Sequence, residues 1–163
     1  QISSISQPII VATMLELLDV RPGDRVLEIG AGSGYNAALL SVLVGSSGAV
    51  VSVEIEEDLG ERASTLLAAV GVDAVQIVIA DGYHGYEPRA PYDRIIVTTG
   101  APEVAPAWLE QLADRGRLLV PLVDQQNGVG SIIAYEKARG TLIELAKRPC
   151  GFLPMRRSST EPP

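Results

Sequence analysis

Thiols, imidazoles and large aromatic rings are scarce in this chain of 163 residues, which has one cysteine, one histidine, one tryptophan and one phenylalanine. A lone Cys150 cannot close an internal disulfide, so nothing asks for an oxidising compartment and a cytoplasmic setting is the default expectation. No H-E-x-x-H, paired cysteines or P-loop occurs, which argues against a metal centre and against a nucleoside triphosphate. Basic charge is short too: 13 Lys+Arg face 20 Asp+Glu, a net −7. That balance disfavours the basic surface drawn to DNA or RNA backbones, so nucleic acid is not an expected partner. The longest charge-free stretch, residues 29–53, has the length to cross a bilayer, but five glycines and five serines interrupt it. It reads as loop, helix, turn and strand, and no membrane partner is expected. The first residues show no basic n-region followed by an apolar h-region and cleavage site, so a secretory leader is not expected from them. Because it starts at Gln1, a native N-terminal stretch is expected to precede it.

Hydrophobic residues make up 47% of the chain, enough for the core of one domain over residues 1–163. Residues 8–20 carry apolar side chains at helical spacings behind Pro8, where a missing N–H costs least. Residues 25–29 read as a buried strand entering a glycine-rich turn, and 35–44 as a helix stopped by Gly45. The alternation continues with strand 49–55, helix 57–70, strand 75–80, strand 94–98, helix 106–113 and strand 117–123. Two closing strands, 131–136 and 141–146, join through Ala138-Arg139-Gly140. The expected fold class is α/β: one doubly wound, mainly parallel seven-stranded sheet with an antiparallel C-terminal hairpin.

Ligands of such sheets sit outside the carboxyl ends of the strands, with the first strand's turn as cradle. That turn is Glu28-Ile29-Gly30-Ala31-Gly32-Ser33-Gly34. A dinucleotide fingerprint G-x-G-x-x-G would need its last glycine at Tyr35, so the pattern is E-x-G-x-G-x-G instead. Glu28 beside the loop disfavours a pyrophosphate and favours a cationic ligand. Glu54 ends the second strand, where a carboxylate can accept from ribose hydroxyls, and Asp81-Gly82 follow the third. Together these describe an adenosine-type ligand with a positive centre, a description that S-adenosylmethionine fits. The bland alternative is that the glycines only turn the chain and the acids are exposed strand ends.

Further stretches carry a family resemblance. Ser4-Ile5-Ser6-Gln7-Pro8 resembles a T-I-S-Q-P segment, residues 26–37 (VLEIGAGSGYNA) a cofactor loop, and Asp81-Gly82-Tyr83-His84-Gly85 a D-G-x-x-G motif. Residues 90–98 (APYDRIIVT) and Ala101-Pro102-Glu103 complete the match. The chain is similar to the protein-L-isoaspartate O-methyltransferases, class I S-adenosylmethionine-dependent methyltransferases with a Rossmann-like fold, without that family's N-terminal helical segment. The resemblance implies S-adenosyl-L-methionine as cofactor and a protein or peptide bearing aspartate or isoaspartate as substrate. It implies Ser6 as the active-site serine, although from the sequence alone Ser6 reads as an N-cap. Ser3, Ser4, Gly30, Ala31, Gly32, Ser33, Gly34, Glu54, Ile55, Asp81 and Gly82 would line the cofactor, with Glu28 beside them.

Departures from the family pattern are Arg115 before Gly116, Cys150-Gly151-Phe152-Leu153-Pro154-Met155, Arg156 in place of a threonine, Ser3-Ser4 and Asn36. They resemble a branch that methylates aspartate in ribosomally made peptides of lanthipeptide or graspetide type, and the expectation leans that way. Repair of isoaspartyl-damaged proteins and a non-catalytic cofactor-binding module are the alternatives, with a nicotinamide dehydrogenase more distant. An acceptor carboxylate is ionised at neutral pH, its ordinary pKa being about 4, so no general base is needed. His84 then reads as a surface residue, Trp108 as a packing residue, Cys150 as a small buried apolar group, and Tyr83 and Tyr86 as loop residues in a position to flank an adenine. Residues 137–163 hold six basic and two acidic side chains, an excess of +4 against −11 elsewhere. That end could attract an acidic peptide.

Overall fold

The computed structural model describes residues 7–158. Helix α1 (Pro8–Leu18) begins with proline at its first turn and ends at Asp19, whose φ of 53° is left-handed. Its N-cap is Gln7, not Ser6, because a proline at the first helical position places the cap one residue before it. Strand β1 (Arg25–Ile29) follows, then α2 (Tyr35–Val44), β2 (Ala49–Glu54), α3 (Glu57–Ala69), β3 (Val75–Ile79), β4 (Tyr92–Val97), α4 (Pro106–Gln111), β5 (Leu112–Val123), β6 (Val129–Ala138) and β7 (Thr141–Gly151). Two short 3-10 turns, Gly82–His84 and Glu87–Arg89, lie between β3 and β4.

The seven strands are ordered β3-β2-β1-β4-β5-β6-β7. β1 to β5 run parallel, and β6 and β7 are antiparallel to their neighbours. The mixed sheet with its closing hairpin is the expected one. Its order reverses between β1 and β4, which opens a crevice at the strand tips.

Side-chain parity in the central strands builds the two layers. Val26, Val50, Ile96 and Leu119 join Met14, Leu18, Leu40 and Val44 from α1 and α2 on one face. Leu27, Val51, Ile95 and Leu118 join Trp108 of α4 and Tyr92 on the other. Glu28 shares the parity of Val26 and so enters the α1–α2 layer, fully buried. Burial on both faces explains why β1 and β2 read as continuous apolar runs rather than alternating ones.

The last third departs from the expected boundaries. α4 stops at Gln111, and β5 starts at Leu112, five residues before the expected Arg117. The polar Asp114-Arg115-Gly116 run suggests a turn, but the strand absorbs it through a register shift against β4 and a left-handed Arg115 at φ 62°. β7 continues past Ala146 through Pro149 to Gly151. As the sheet's edge it has no neighbour on one side, so a proline's missing N–H is tolerated. Arg139 (φ 52°) and Gly140 (φ 80°) give the hairpin the positive dihedrals of a type I′ turn. Among the described residues, no helix is long and apolar enough to cross a membrane.

Candidate functional site

A cavity of about 940 Å³ opens at the carboxyl ends of the strands. Of the residues expected to hold a cofactor, Gly30, Ala31, Gly32, Ser33, Glu54, Ile55 and Gly82 line this cavity. Three other expected residues, Gly34, Asp81 and Glu28, are not part of the lining. Gly34 (φ 79°) caps α2, and a Cβ there would lie 3.2 Å from Leu67, so this glycine lets α2 start against α3. The Asp81 carboxylate accepts the N–H of Tyr83 and of Ser158, each at 2.9 Å. Burial alone would raise its pKa, but these hydrogen bonds and the nearby His84 outweigh it and hold the group below the ordinary carboxylate range. Glu28 is the third. Ser3, Ser4 and Ser6 lie outside the described residues.

The glycine loop is pinned from two sides. Gly30 and Ala31 donate to the Val53 carbonyl at 2.8 and 3.2 Å. Thr98, just past β4, places its hydroxyl 2.6 Å from the Gly30 carbonyl oxygen. Gly30 has φ +101°, and a Cβ there would meet that hydroxyl oxygen at 2.6 Å, so the position admits no side chain without rearrangement. Glu54 ties the second strand tip to the loop. Its Oε2 accepts from Gly32 N–H at 2.9 Å, and its Oε1 from Ile55 and Glu56 N–H at 3.0 and 3.2 Å. A carboxylate offers about four acceptor positions, so about one stays open for a ligand hydroxyl. Engaging a vicinal diol through both oxygens would displace a backbone bond, and the one to Glu56 is the longest.

Glu28 sits beneath the loop, with Oε1 accepting from Asn36 Nδ2 at 2.7 Å and Oε2 from the Ser52 hydroxyl at 2.5 Å. Burial raises its pKa, the two hydrogen bonds oppose this, and the charge of Glu54 adds to the rise; the net is a group pushed up to about 7. It reaches the cavity only through Asn36, which lines it.

The remaining lining is less visible in the sequence. Thr98 and Thr99 follow β4, Asn127 and Gly128 belong to the loop after β5, and Cys150 to Arg156 come from the end of β7 and its tail. The rule that strand tips carry ligand sites would have flagged the first two pairs. Cys150 is half-buried against the α1 layer and also faces the cavity, so it is not simply a core residue; burial pushes its thiol pKa up. The tail crosses the acidic tips: Arg156 bonds Glu56 at 2.6 Å, and the Arg157 guanidinium lies 3.6 Å from the Tyr83 ring centroid. Tyr83 bonds Glu103 at 2.7 Å and Trp108 donates to the Gly82 carbonyl at 2.8 Å, so these rings brace the loop after β3. His84 is exposed, as expected. Among the described residues, no cluster of His, Cys, Asp and Glu has the makings of a metal site.

The donor set suits a ligand with hydroxyls at one end and mixed charge at the other. Glu54 and Glu56 make the β2 side acidic. The first-turn N–H groups of α2 have no intrahelical acceptor and favour negative charge. The residues present therefore fit an adenosyl amino acid, whose diol would face Glu54 and whose carboxylate would face α2.

Residues 1–160 match the family model described as Protein-L-isoaspartate(D-aspartate) O-methyltransferase. The chain is 43% identical over 153 residues to protein-L-isoaspartate O-methyltransferase 2 of Archaeoglobus fulgidus, covering 94% of this chain and 69% of that protein. It is 43% identical over 154 residues to the protein-L-isoaspartate O-methyltransferase of Methanopyrus kandleri, with 93% and 67% covered. A solved protein-L-isoaspartate O-methyltransferase superposes with a TM-score of 0.90 at 36% identity, covering 96% of this chain and 49% of that one. A Plasmodium falciparum structure described as a putative enzyme of the same name, in complex with S-adenosyl-L-homocysteine, gives 0.79 at 22% identity, with 97% and 79% covered. The chain thus spans about half the length of the first of these structures.

Proposed function

Because the chain belongs to the protein-L-isoaspartate O-methyltransferase family, we propose that it binds S-adenosyl-L-methionine in the strand-tip cavity and methylates the carboxylate of an isoaspartyl or aspartyl residue in a protein or peptide. When bound, this cofactor supplies a methyl group carried on a positively charged sulfur. The observation that carries the reading is the Glu54 carboxylate clamped to Gly32 of the glycine loop, in a cavity that continues past the loop to the β4 and β7 tips. One half takes a nucleoside and the other leaves room for an acceptor.

The chain's residues would contribute orientation rather than proton transfer. The acceptor carboxylate is ionised at neutral pH, with an ordinary pKa of about 4, so it attacks without a base. This agrees with a cavity lining that includes no histidine among the described residues. Alignment of reacting atoms in a water-poor site is worth roughly 7–11 kcal/mol in favourable cases. Ser6, by its match to the family segment, orients the acceptor through its hydroxyl. The methyl ester is then attacked by the following backbone amide, which loses its proton as methanol leaves, and a succinimide results.

Mass spectrometry of an isoaspartyl peptide incubated with protein and S-adenosyl-L-methionine tests the proposal by a gain of one methyl group. Absence of that gain, with S-adenosylhomocysteine still bound, would favour the non-catalytic module. A Ser6→Ala variant that kept the full rate at saturating peptide would remove the serine from the mechanism. The finer reading, aspartate methylation in a ribosomally made peptide, draws support from the grouping of Asn36, residues 150–155 and Arg156 around the cavity. Offering a cyclised aspartyl precursor beside the isoaspartyl peptide separates it from repair.

A further inference from the structure

The two halves of the cavity differ in the donors they have left. In the order β3-β2-β1-β4-β5-β6-β7 the glycine loop at the β1 tip divides the acidic Glu54 side from the side over β4 to β7. A carboxylate acceptor placed on the second side needs N–H or O–H donors. Several of those there are already engaged. The Thr98 hydroxyl is within 2.6 and 3.0 Å of the Gly30 and Ile29 carbonyl oxygens. Thr99 donates to the Leu153 carbonyl at 3.0 Å, and one guanidinium nitrogen of Arg156 is drawn to Glu56 on the acidic side.

Asn127 differs. Its Oδ1 accepts the Val129 N–H at 2.8 Å. A backbone N–H can only donate, so this bond fixes which way the amide is turned and directs Nδ2 elsewhere. Nδ2 has no partner among the described residues, and the exposed side chain stands at the cavity rim. The loop beneath is braced: Asp124 Oδ1 accepts from Gln126 and Asn127 N–H at 2.7 and 3.2 Å, and Gly128 accepts Phe152 N–H at 2.9 Å. The donor is therefore held in place before any ligand arrives.

We propose that the Asn127 side-chain amide is a specificity-determining donor for the acceptor carboxylate, gripping it from the wall opposite the glycine loop. The inference rests on the methyl-transfer reading above. An N–H bond to a charged oxygen is stronger than one to a neutral oxygen. Asn127 thus holds the ionised substrate better than its uncharged methyl ester and eases product release.

Asn127→Asp is the informative variant. It keeps an oxygen for the Val129 N–H but exchanges the donor for a negative charge facing the substrate's own. With an isoaspartyl peptide, KM should rise roughly tenfold to a hundredfold, the size expected for a hydrogen bond to a charged group. The turnover rate at saturation should move less, and melting temperature and S-adenosylhomocysteine affinity should stay at wild-type values. A wild-type KM in Asn127→Asp overturns the proposal. So does a parallel loss of S-adenosylhomocysteine affinity or of melting temperature, which would mark a structural role. Wild-type protein that binds S-adenosylhomocysteine but methylates neither isoaspartyl nor aspartyl peptides overturns the methyl-transfer reading itself, and this inference with it.

Discussion

Exchanging Glu28 for glutamine should remove a specific part of the protein's pH dependence. Glu28 is fully buried, and its pKa is raised from 4.5 to about 7. Between those values the unfolded chain has released its proton while the folded chain keeps it, so stability falls as pH rises. Each unit costs about 1.4 kcal/mol, and the span of about 2.5 units costs about 3 kcal/mol in all. The contribution is intact below pH 4.5 and lost above about 7. Glutamine has the same shape and nothing to titrate; it can accept from Asn36 and donate to the Ser52 hydroxyl. Urea unfolding of both proteins across this range, with one free energy subtracted from the other, cancels His84 and every other shared group. The glutamine variant should gain about 3 kcal/mol relative to wild type from the acid to the neutral end. Curves that stay parallel, or a difference of opposite sign, would refute a buried carboxylate dominated by desolvation.

Three further outcomes follow from the same geometry. Gly30→Ala forces a side chain onto φ +101° and into the Thr98 hydroxyl; thermal unfolding should show a loss of about 1–3 kcal/mol, the usual cost of a strained backbone position. Glu54→Ala cuts three backbone bonds to the loop and its flank, and calorimetry should find S-adenosylhomocysteine bound about 10–100-fold more weakly, as for loss of a charged hydrogen bond; an unchanged Kd would contradict the placement. Arg156→Ala should alter stability by less than about 1 kcal/mol, because the two side chains of the ion pair are 49% and 33% exposed; a larger drop in chemical denaturation would mean that the tail is integral to the fold.

Much of the architecture is legible in the residues because it is set locally. The apolar runs of β1 and β2, the helix between Gly34 and Gly45, and the Arg139-Gly140 turn follow from period, capping and φ preference. The edges of the last third were not legible. A charged bulge at Arg115 and a proline in an edge strand depend on which neighbour a strand has, and short windows carry no record of that. The site divides in the same way. Gly30, Gly32 and Glu54 announce themselves by glycine spacing and by a carboxylate at a strand's end.

By itself, then, the sequence determined a glycine loop flanked by acids on an alternating α/β chain. Tertiary structure decided what each acid does. Glu28 and Glu54 look alike as strand acids, yet side-chain parity and helix packing bury the first under α2 and leave the second at the strand tip. It also decided the far wall, where Thr98, Asn127 and Arg156 face one cavity and Arg156 meets Glu56 across 100 residues. Strand order puts those groups side by side, and strand order is settled by burial of whole faces, a property of the assembled sheet and not of any single segment.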